Sequence, residues 1–155
     1  MTSVEESSED VASNEPDDDN DAKVQLKCNK ILWDLFTRIN ERNLDLTQPF
    51  WHLNFSPQYS FSGSGLLETS ETDEHKMDLK QHLQQLSSMI EGDFPDCHYS
   101  VEGLRTERIG ATLRSSVEYE LIGAPPGVRR KYAAEVAWDR WGRILTIWTM
   151  AGLPI

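Results

Sequence analysis

The spacing of apolar residues changes once along this chain, and this change constrains the fold more than any other feature. Before Cys97 the apolar residues recur at the period of an α-helix, and after Cys97 they alternate with polar residues at period two. The clearest helical stripe is Val24, Cys28, Ile31, Leu32, Leu35, Phe36 and Ile39. The chain is therefore predicted to form an α+β fold, with its helices packed on one face of an antiparallel sheet.

The first half of the chain predicts about three helices. The first opens at Asp21, a short second helix covers residues 47–54, and the third runs from Thr72 to Gly92. The apolar stripe of the third helix is Leu79, Leu83, Leu86 and Ile90, with Met89 beside it. Because all three stripes are one-sided, we expect the helices to cover one face of the sheet.

The second half predicts strands that follow one another as an antiparallel meander. The predicted strands are 97–107, 113–121, 128–138 and 143–150, and period two is spelled out by 113–121 and 128–138. The last of them is apolar on both faces, which is typical of a strand that is central or covered on both sides. A further strand over residues 55–61 has aromatic side chains at alternate positions, and Pro57 makes it an edge strand or a bent one.

Acidic residues are concentrated at the N-terminal end. Residues 1–22 hold nine of the 26 acids and no Lys or Arg, which leaves 17 acids against 15 bases in residues 23–155. We therefore predict a disordered acidic tail over 1–22 and a single, nearly neutral domain over 23–155. Such a domain lacks the dense basic face that binds nucleic acid. A small basic run, Arg129–Lys131, could bind the tail in cis.

The chain shows no signature of export or of a membrane span. It has neither a basic-then-apolar leader nor an apolar run of about twenty residues. We therefore expect a reducing compartment, the cytoplasm or alternatively the nucleus, with Cys28 and Cys97 as free thiols.

The order of elements, together with the hairpin sequence Trp-Asp-Arg-Trp-Gly-Arg-Ile at 138–144, resembles the nuclear transport factor 2-like superfamily. That group includes the polyketide cyclases, ketosteroid isomerase and scytalone dehydratase. The resemblance covers residues 23–153 and implies a cone, in which a curved sheet wraps round a cavity that the N-terminal helices close. Some members act on polycyclic or phenolic small molecules, and others bind proteins or dimerise.

The residues on the apolar side of the strands are candidates for the wall of that cavity. They are Tyr99, Val101, Ser115, Val117, Tyr119, Tyr132, Ala134, Trp138 and either Trp148 or Ile147, with Trp51, His52 and Tyr59 from the helix side. Aromatic rings with a few hydroxyls and an imidazole are typical of small-molecule sites. The alternative is that these rings fill one another's space as an ordinary core.

Catalytic roles are predicted for one histidine and two tyrosines. His52 is the candidate for proton transfer, and the phenols of Tyr59 and Tyr119 are candidates to polarise a carbonyl. The predicted substrate contacts are Trp51, Tyr99, Ser115, Tyr132, Trp138 and Trp148. The remaining histidines, His75, His82 and His98, are expected to face solvent.

The resemblance implies an inward carboxylate as general base, but this sequence does not supply one. Glu118, Glu120 and Glu135 all have the outward parity, so no catalytic carboxylate of the superfamily can be transferred to a numbered position. There is no metal-ligand spacing and no phosphate-binding glycine loop.

Two functions therefore remain open. One is a cofactor-free, metal-free enzyme of the cyclase, isomerase or dehydratase type that acts on an aromatic or polycyclic small molecule. The other is a non-catalytic ligand-binding or protein-interaction module. In either case we expect a homodimer formed through the outer face of the sheet, which includes Ala133, Ala137 and Leu145.

Overall fold

The computed structural model describes residues 18–63 and 76–154, with helices on one face of a five-stranded curved sheet that does not close. The predicted α+β fold is confirmed. In chain order, the elements are α1 (Asp18–Asn40), α2 (Pro49–Asn54), β1 (Phe55–Gly63), α3 (Leu79–Ser87) with a π-helical continuation over Ser88–Asp93, β2 (His98–Ile109), β3 (Thr112–Ile122), β4 (Arg129–Trp138) and β5 (Ile144–Pro154).

The strands lie in the order β1-β5-β4-β3-β2. Strands β2 to β5 form the predicted antiparallel meander. Strand β1 pairs with β5 in parallel, a pairing that the residue pattern does not indicate. The β1–β5 ladder is interrupted between Phe55 and Ser60. Pro57 lies within this interruption and at a sheet edge, where a missing N–H breaks no ladder hydrogen bond.

Helix α1 begins at Asp18, inside the segment predicted to be a disordered tail. The Asp21 side chain lies at its N-terminal end, where the helix dipole stabilises a negative charge. The Asp21 carboxylate also pairs with the Arg108 guanidinium at 3.2 Å. The boundary predicted at residue 22 is therefore wrong by about one turn, and residues 1–17 lie outside the described residues.

Helix α3 starts later than predicted. The backbone of Met77 exchanges both hydrogen bonds with Phe61, so residues 76–78 are extended rather than helical. The Asp78 side chain then accepts the Gln81 N–H, while the Gln81 side chain accepts the Asp78 N–H, a capping box. The predicted start, Thr72, lies outside the described residues.

The alternation along β3 and β4 directs one face of the sheet toward the helices, as predicted. The inward residues, all buried, are Ser115, Val117, Tyr119, Leu121, Tyr132, Ala134, Val136 and Trp138. Strand β5 is central, but its outer face is uncovered, with Trp148 and Met150 exposed by 45% and 48%. Cys28 and Cys97 are buried free thiols, as expected.

No helix in residues 18–63 and 76–154 is long and apolar enough to cross a membrane. In the same two ranges, no group of three or more His, Cys, Asp or Glu side chains is placed to hold a metal ion.

Candidate functional site

Four aromatic rings from α1 and three strands meet on the inner face of the sheet. The ring of Phe36 lies 5.9 Å from that of Tyr99 and 5.0 Å from that of Tyr119, measured between centroids. Tyr119 in turn lies 5.6 Å from Tyr99 and stacks on Tyr132 at 5.3 Å. At these separations aromatic side chains are in direct contact. In this part of the interior, the predicted wall residues pack as core.

The Tyr99 and Tyr119 phenols of this cluster stay protonated. Burial raises the pKa of Tyr99 well above 10.0, and the neighbouring phenols, Tyr119 first, add to the rise. Burial likewise raises the pKa of Tyr119, and Tyr132 adds to it. At neutral pH each of these groups is therefore a hydrogen-bond donor rather than a base.

A hydrogen-bonded pair of side chains, Tyr59 and His82, lies where β1 meets α3. The Tyr59 hydroxyl and His82 Nδ1 are 3.0 Å apart, a hydrogen bond whose direction depends on the imidazole tautomer. The imidazole stacks on the ring of Phe61 at 3.8 Å and lies parallel to the ring of Tyr59 at 6.1 Å. Because Phe61 is also bonded through its backbone to Met77, the start of α3 is held against β1 and the imidazole plane is fixed.

Desolvation makes this pair neutral. Burial lowers the pKa of His82 from 6.5 to about 3. Burial also raises the pKa of Tyr59 well above 10.0, and the Tyr119 phenol contributes to the rise. A neutral imidazole has one N–H and one lone pair, so it can donate one hydrogen bond and accept another beside a protonated phenol.

The expectation that His82 faces solvent is wrong. His82 follows Leu79 by three residues and precedes Leu86 by four, so it lies on the same side of α3 as the apolar stripe. That spacing was readable from the sequence and would have identified this histidine. His98, by contrast, is exposed as expected, and His75 lies outside the described residues.

The placement of His52 in the cavity is wrong. Helix α2 is six residues long, and it buries Phe50 and Trp51. Since successive residues of a helix point about 100° apart, the same turn exposes His52 to solvent. The imidazole near Tyr59 is therefore that of His82.

Trp51 itself is completely buried. Its ring lies 5.6 Å from that of Phe55, which contacts Tyr59 at 4.9 Å. The indole N–H of Trp51 has no hydrogen-bond partner among the described residues. Leaving a buried donor unpaired costs about 1–3 kcal/mol, so this group could donate to an acceptor that enters from outside the chain.

The placement of Trp148 in the wall is also wrong. Trp148 is on the outer face, and the alternative residue, Ile147, is 7% exposed and faces the core. The β4–β5 register shifts between Ala137 and Trp138, a local irregularity that period-two counting does not locate.

Ser115 and Trp138 are bonded to each other in a buried polar chain. Trp138 Nε1 donates to Ser115 Oγ at 2.8 Å, Ser115 Oγ is 2.6 Å from Thr106 Oγ1, and Thr106 donates to Asn29 Oδ1 at 2.6 Å. Because Thr106 has a single hydroxyl hydrogen, Ser115 must be the donor to Thr106. The chain ties three strands to α1 and occupies the polar atoms that were predicted to contact substrate.

Comparison with known proteins gives matches to solved structures alone. No family model matches the chain, and no curated protein matches it. A proposed isomerase of the SnoaL-like family from Agrobacterium tumefaciens has 13% identity and a TM-score of 0.57, and the match covers 80% of this chain and 96% of that one. A proposed polyketide cyclase from Acidithiobacillus ferrooxidans has 14% identity and a TM-score of 0.55, with 81% and 87% covered. An LEH-like epoxide hydrolase from M. tuberculosis has 12% identity and a TM-score of 0.52, with 83% and 84% covered.

The chain has the nuclear transport factor 2-like cone fold. Within this cone, the carboxylates follow the predicted parity. Glu118 and Glu135 are exposed, and Glu120 is buried among the outward residues of β3, where Arg129 donates to it at 2.7 Å. The hydrogen bonds from Arg129 are the main cause that lowers the pKa of Glu120. Among the described residues, the inner face therefore carries phenols and an imidazole but no buried carboxylate.

The cone also has a separate cleft at the end of α3. It has a volume of about 460 Å³ and lies between α3 and the loop that follows α1. Its lining residues are Arg42, Leu44, Asp45, Leu46, Lys80, Leu83, Gln84, Ser87 and Glu91. None of the predicted site residues lines it.

Proposed function

We propose that this protein binds an uncharged aromatic or polycyclic small molecule inside its cone and acts on it, without a cofactor, as an isomerase, cyclase or dehydratase. The observation that carries the proposal is the hydrogen bond of 3.0 Å between Tyr59, which is buried, and His82, which is partly buried between β1 and α3. The solved structures with the same fold are consistent with it, since they include proposed isomerases and polyketide cyclases.

The chemistry of the pair suits a carbonyl substrate. A protonated phenol donates to a carbonyl oxygen and stabilises the negative charge that develops there in enolisation or dehydration. In the tautomer with Nδ1–H, His82 donates to the Tyr59 oxygen and strengthens this effect. In the other tautomer its Nδ1 lone pair accepts a hydrogen bond from the Tyr59 hydroxyl, which fixes the orientation of the phenol.

Trp51 supports a polar contact from the opposite end of the same row of rings. Its buried N–H lacks a partner in the described residues, and Phe55 connects it to Tyr59. A bound ligand with a second acceptor oxygen would satisfy this donor. We propose that the Tyr99, Tyr119 and Tyr132 rings, which pack on one another, present one side of their cluster to the ligand. The Tyr119 phenol contributes, after burial, to the raised pKa of Tyr59.

The substrate is proposed to be uncharged because, among the described residues, no buried side chain of the inner face is charged. Arg130, which has the parity of Tyr132 at the start of β4, is only partly buried. Burying an unpaired ion is costly, whereas an uncharged ring system gains from contact with phenol and indole rings. His52, the predicted residue for proton transfer, lies on the surface and has no part in this scheme.

The proposal is tested with a panel of cyclic enones, phenols and linear diketones, screened by NMR line broadening and then for turnover. For a compound that is converted, we expect Tyr59→Phe to lower kcat/KM by roughly 10²-fold or more, the usual effect of losing one donor to a developing oxyanion. His82→Gln should lower kcat/KM less, because the glutamine side-chain oxygen can still accept a hydrogen bond from the Tyr59 hydroxyl. His52→Gln is the matched control and should leave it unchanged.

Turnover that survives Tyr59→Phe undiminished would refute the assignment. Binding that depends on Trp51 and Tyr59 without any conversion would instead support the alternative, a non-catalytic ligand-binding module. Ligands that perturb only the cleft around Leu83 and Gln84 would count against both.

We also propose a homodimer through the outer face of the sheet. Trp148 and Met150 are both about half exposed there, and exposed Ala133 lies opposite Met150 in the β4–β5 ladder. Large exposed apolar side chains on a flat strand face commonly mark an interface. Sedimentation equilibrium should give a dimer that Trp148→Glu dissociates. Trp33→Glu, at a 49% exposed position on α1, should not dissociate it.

The cytoplasm, or alternatively the nucleus, is the compartment that fits two buried free thiols, Cys28 and Cys97. Localisation of the tagged full-length chain by fluorescence microscopy tests this directly. Exclusion from both compartments would contradict it.

A further inference from the structure

The β4–β5 hairpin presents an exposed tryptophan between two guanidinium groups. Trp141 is 68% exposed, and the Cζ atoms of Arg140 and Arg143 lie 5.1 Å and 5.4 Å from its ring centroid. Asp139 holds this turn, because its carboxylate accepts the backbone N–H groups of Trp141 and Arg143 at 2.9 Å and pairs with the Arg143 side chain at 3.1 Å. The hairpin is therefore a rigid, basic and aromatic projection, the composition that dominates binding hot spots.

This hairpin lies at the end of the sheet where α1 begins. Arg114 pairs with Ala137 in the β3–β4 register, and the Asp21–Arg108 ion pair holds the first turns of α1 at the end of β2. We call Arg114, Arg140, Trp141 and Arg143 the basic tip. Arg114 and Arg140 make no ion pair within residues 18–63 and 76–154, so both can accept an acidic partner.

We propose that the acidic segment 1–17 binds in cis to the basic tip. The segment contains Glu5, Glu6, Glu9, Asp10, Glu15 and Asp17 and no Lys or Arg. The attraction between these carboxylates and the unpaired guanidinium groups of Arg114 and Arg140 favours the contact. Nearby, Asp21 and Arg108 already form an ion pair between an acid of the N-terminal region and an arginine of the sheet. The proposal is independent of the chemistry proposed for the interior.

The length of the segment is sufficient. From β2, where α1 is anchored, to β5 there are three strand spacings, about 14 Å in all. An extended chain covers about 3.3 Å per residue, so roughly five residues before Asp18 reach the tip. The acids at positions 9–17 can therefore contact it.

The Arg129–Lys131 run, which the sequence suggested for this role, is a poorer partner. Arg129 is paired with Glu120 at 2.7 Å, and Lys131 with Glu102 at 3.8 Å. Arg130 makes no ion pair among the described residues, but it is partly buried and its Nε is inaccessible to a partner. The run is at the start of β4, whereas the tip follows the last residue of this strand, Trp138. The run therefore lies about 30 Å further than the tip from the start of α1, where the acidic segment joins the helix. Both charge and distance favour the tip.

The test uses the full-length chain and the indole N–H signals of its tryptophans, with Trp141 assigned from Trp141→Phe. Salt is raised from about 0.01 M to about 1 M, over which the Debye length falls from about 30 Å to about 3 Å. We expect the Trp141 signal to move several-fold more than that of Trp33. This movement should be lost in the charge-neutralised variant E5Q/E6Q/E9Q/D10N/E15Q/D17N and in Arg140→Gln.

The matched control is Lys131→Gln, which should leave the salt response of Trp141 unchanged. A Trp141 signal that is the same in the wild type and the neutralised variant at every salt concentration would overturn the proposal. So would a response that grows with protein concentration, because the segment would then be binding a second copy. A response lost in Lys131→Gln but retained in Arg140→Gln would assign the segment to the other run.

Discussion

Removing the hydroxyl of Ser115 should destabilise the fold by far more than its size suggests. Ser115 is completely buried, and its Oγ is the acceptor for Trp138 Nε1 at 2.8 Å and the donor to Thr106. In Ser115→Ala the indole N–H of Trp138 is left unpaired in a 4% exposed position, which costs about 1–3 kcal/mol. The lost bond to Thr106 adds about 1 kcal/mol.

The expected loss is therefore about 2–4 kcal/mol in the free energy of unfolding, or roughly 10 °C in Tm for a domain of this size. It is measured by guanidinium denaturation followed by circular dichroism, with the slope m held in common. The matched control is Ser116→Ala, the neighbouring residue, whose hydroxyl contacts Glu135 at 3.2 Å on the outer face. That change should cost no more than about 0.5 kcal/mol.

A double-mutant cycle isolates the bond itself. Trp138→Phe removes the donor, so Ser115→Ala should cost at least about 1 kcal/mol less in that background than in the wild type. The reasoning is refuted if Ser115→Ala costs no more than Ser116→Ala, or if the two changes are additive. Either result would mean that the buried chain does not hold the strands to α1.

Three other changes have defined outcomes. Gly63→Ala should unfold the chain or destabilise it by more than about 3 kcal/mol, because Gly63 has φ 129° and a Cβ there would lie 2.1 Å from the Thr149 carbonyl oxygen. Thermal melts measure this loss, with Gly92→Ala as the control because a Cβ at Gly92 meets open space. Acidification should destabilise the protein through His82, whose pKa is about 3 in the folded state and about 6.5 in the unfolded state, because between those values only the unfolded state binds the proton. The free energy of unfolding should therefore fall by about 1.4 kcal/mol from pH 7.5 to pH 5.5. Denaturant titrations at each pH measure this, and His82→Gln should remove that part of the pH dependence. Arg42→Ala should cost about 2–3 kcal/mol, because Arg42 donates to the Cys97 carbonyl oxygen at 2.7 Å; denaturant titration measures this loss. The Cys97 side chain is buried, so iodoacetamide reaches it only when the structure opens, and its labelling should become faster in this variant; labelling no faster than in the wild type would contradict the prediction.

The parts of the fold that could be predicted are those with long, one-sided patterns. The alternation through Val117, Tyr119 and Leu121 determines which face of β3 is buried, since a shift of one residue would reverse every side chain. The α1 stripe from Cys28 to Ile39 determines its buried side in the same way. Both patterns extend over many residues, so a single exception does not change the result.

The parts that could not be predicted depend on contacts between distant segments. The parallel pairing of β1 with β5 leaves no trace in the spacing of residues 55–63, because a strand alternates identically in either direction. The register shift before Trp138 similarly moved Trp148 to the outer face. His82 is a different case. Its spacing from Leu79 and Leu86 places it on the packed side of α3, but a polar residue is usually exposed, and this general preference led to the wrong prediction.

The pairing of His82 with Tyr59 inside the cone is tested most directly by long-range proton–nitrogen NMR of the imidazole rings, recorded as a function of pH in the wild type and in Tyr59→Phe. The structure predicts that the His82 nitrogens keep the shifts of a neutral ring from pH 8 down to about pH 4, and that its Nδ1 shift changes when the phenol hydroxyl is removed. A His82 ring that gains its proton near pH 6.5, with a shift indifferent to Tyr59→Phe, would contradict the interior site.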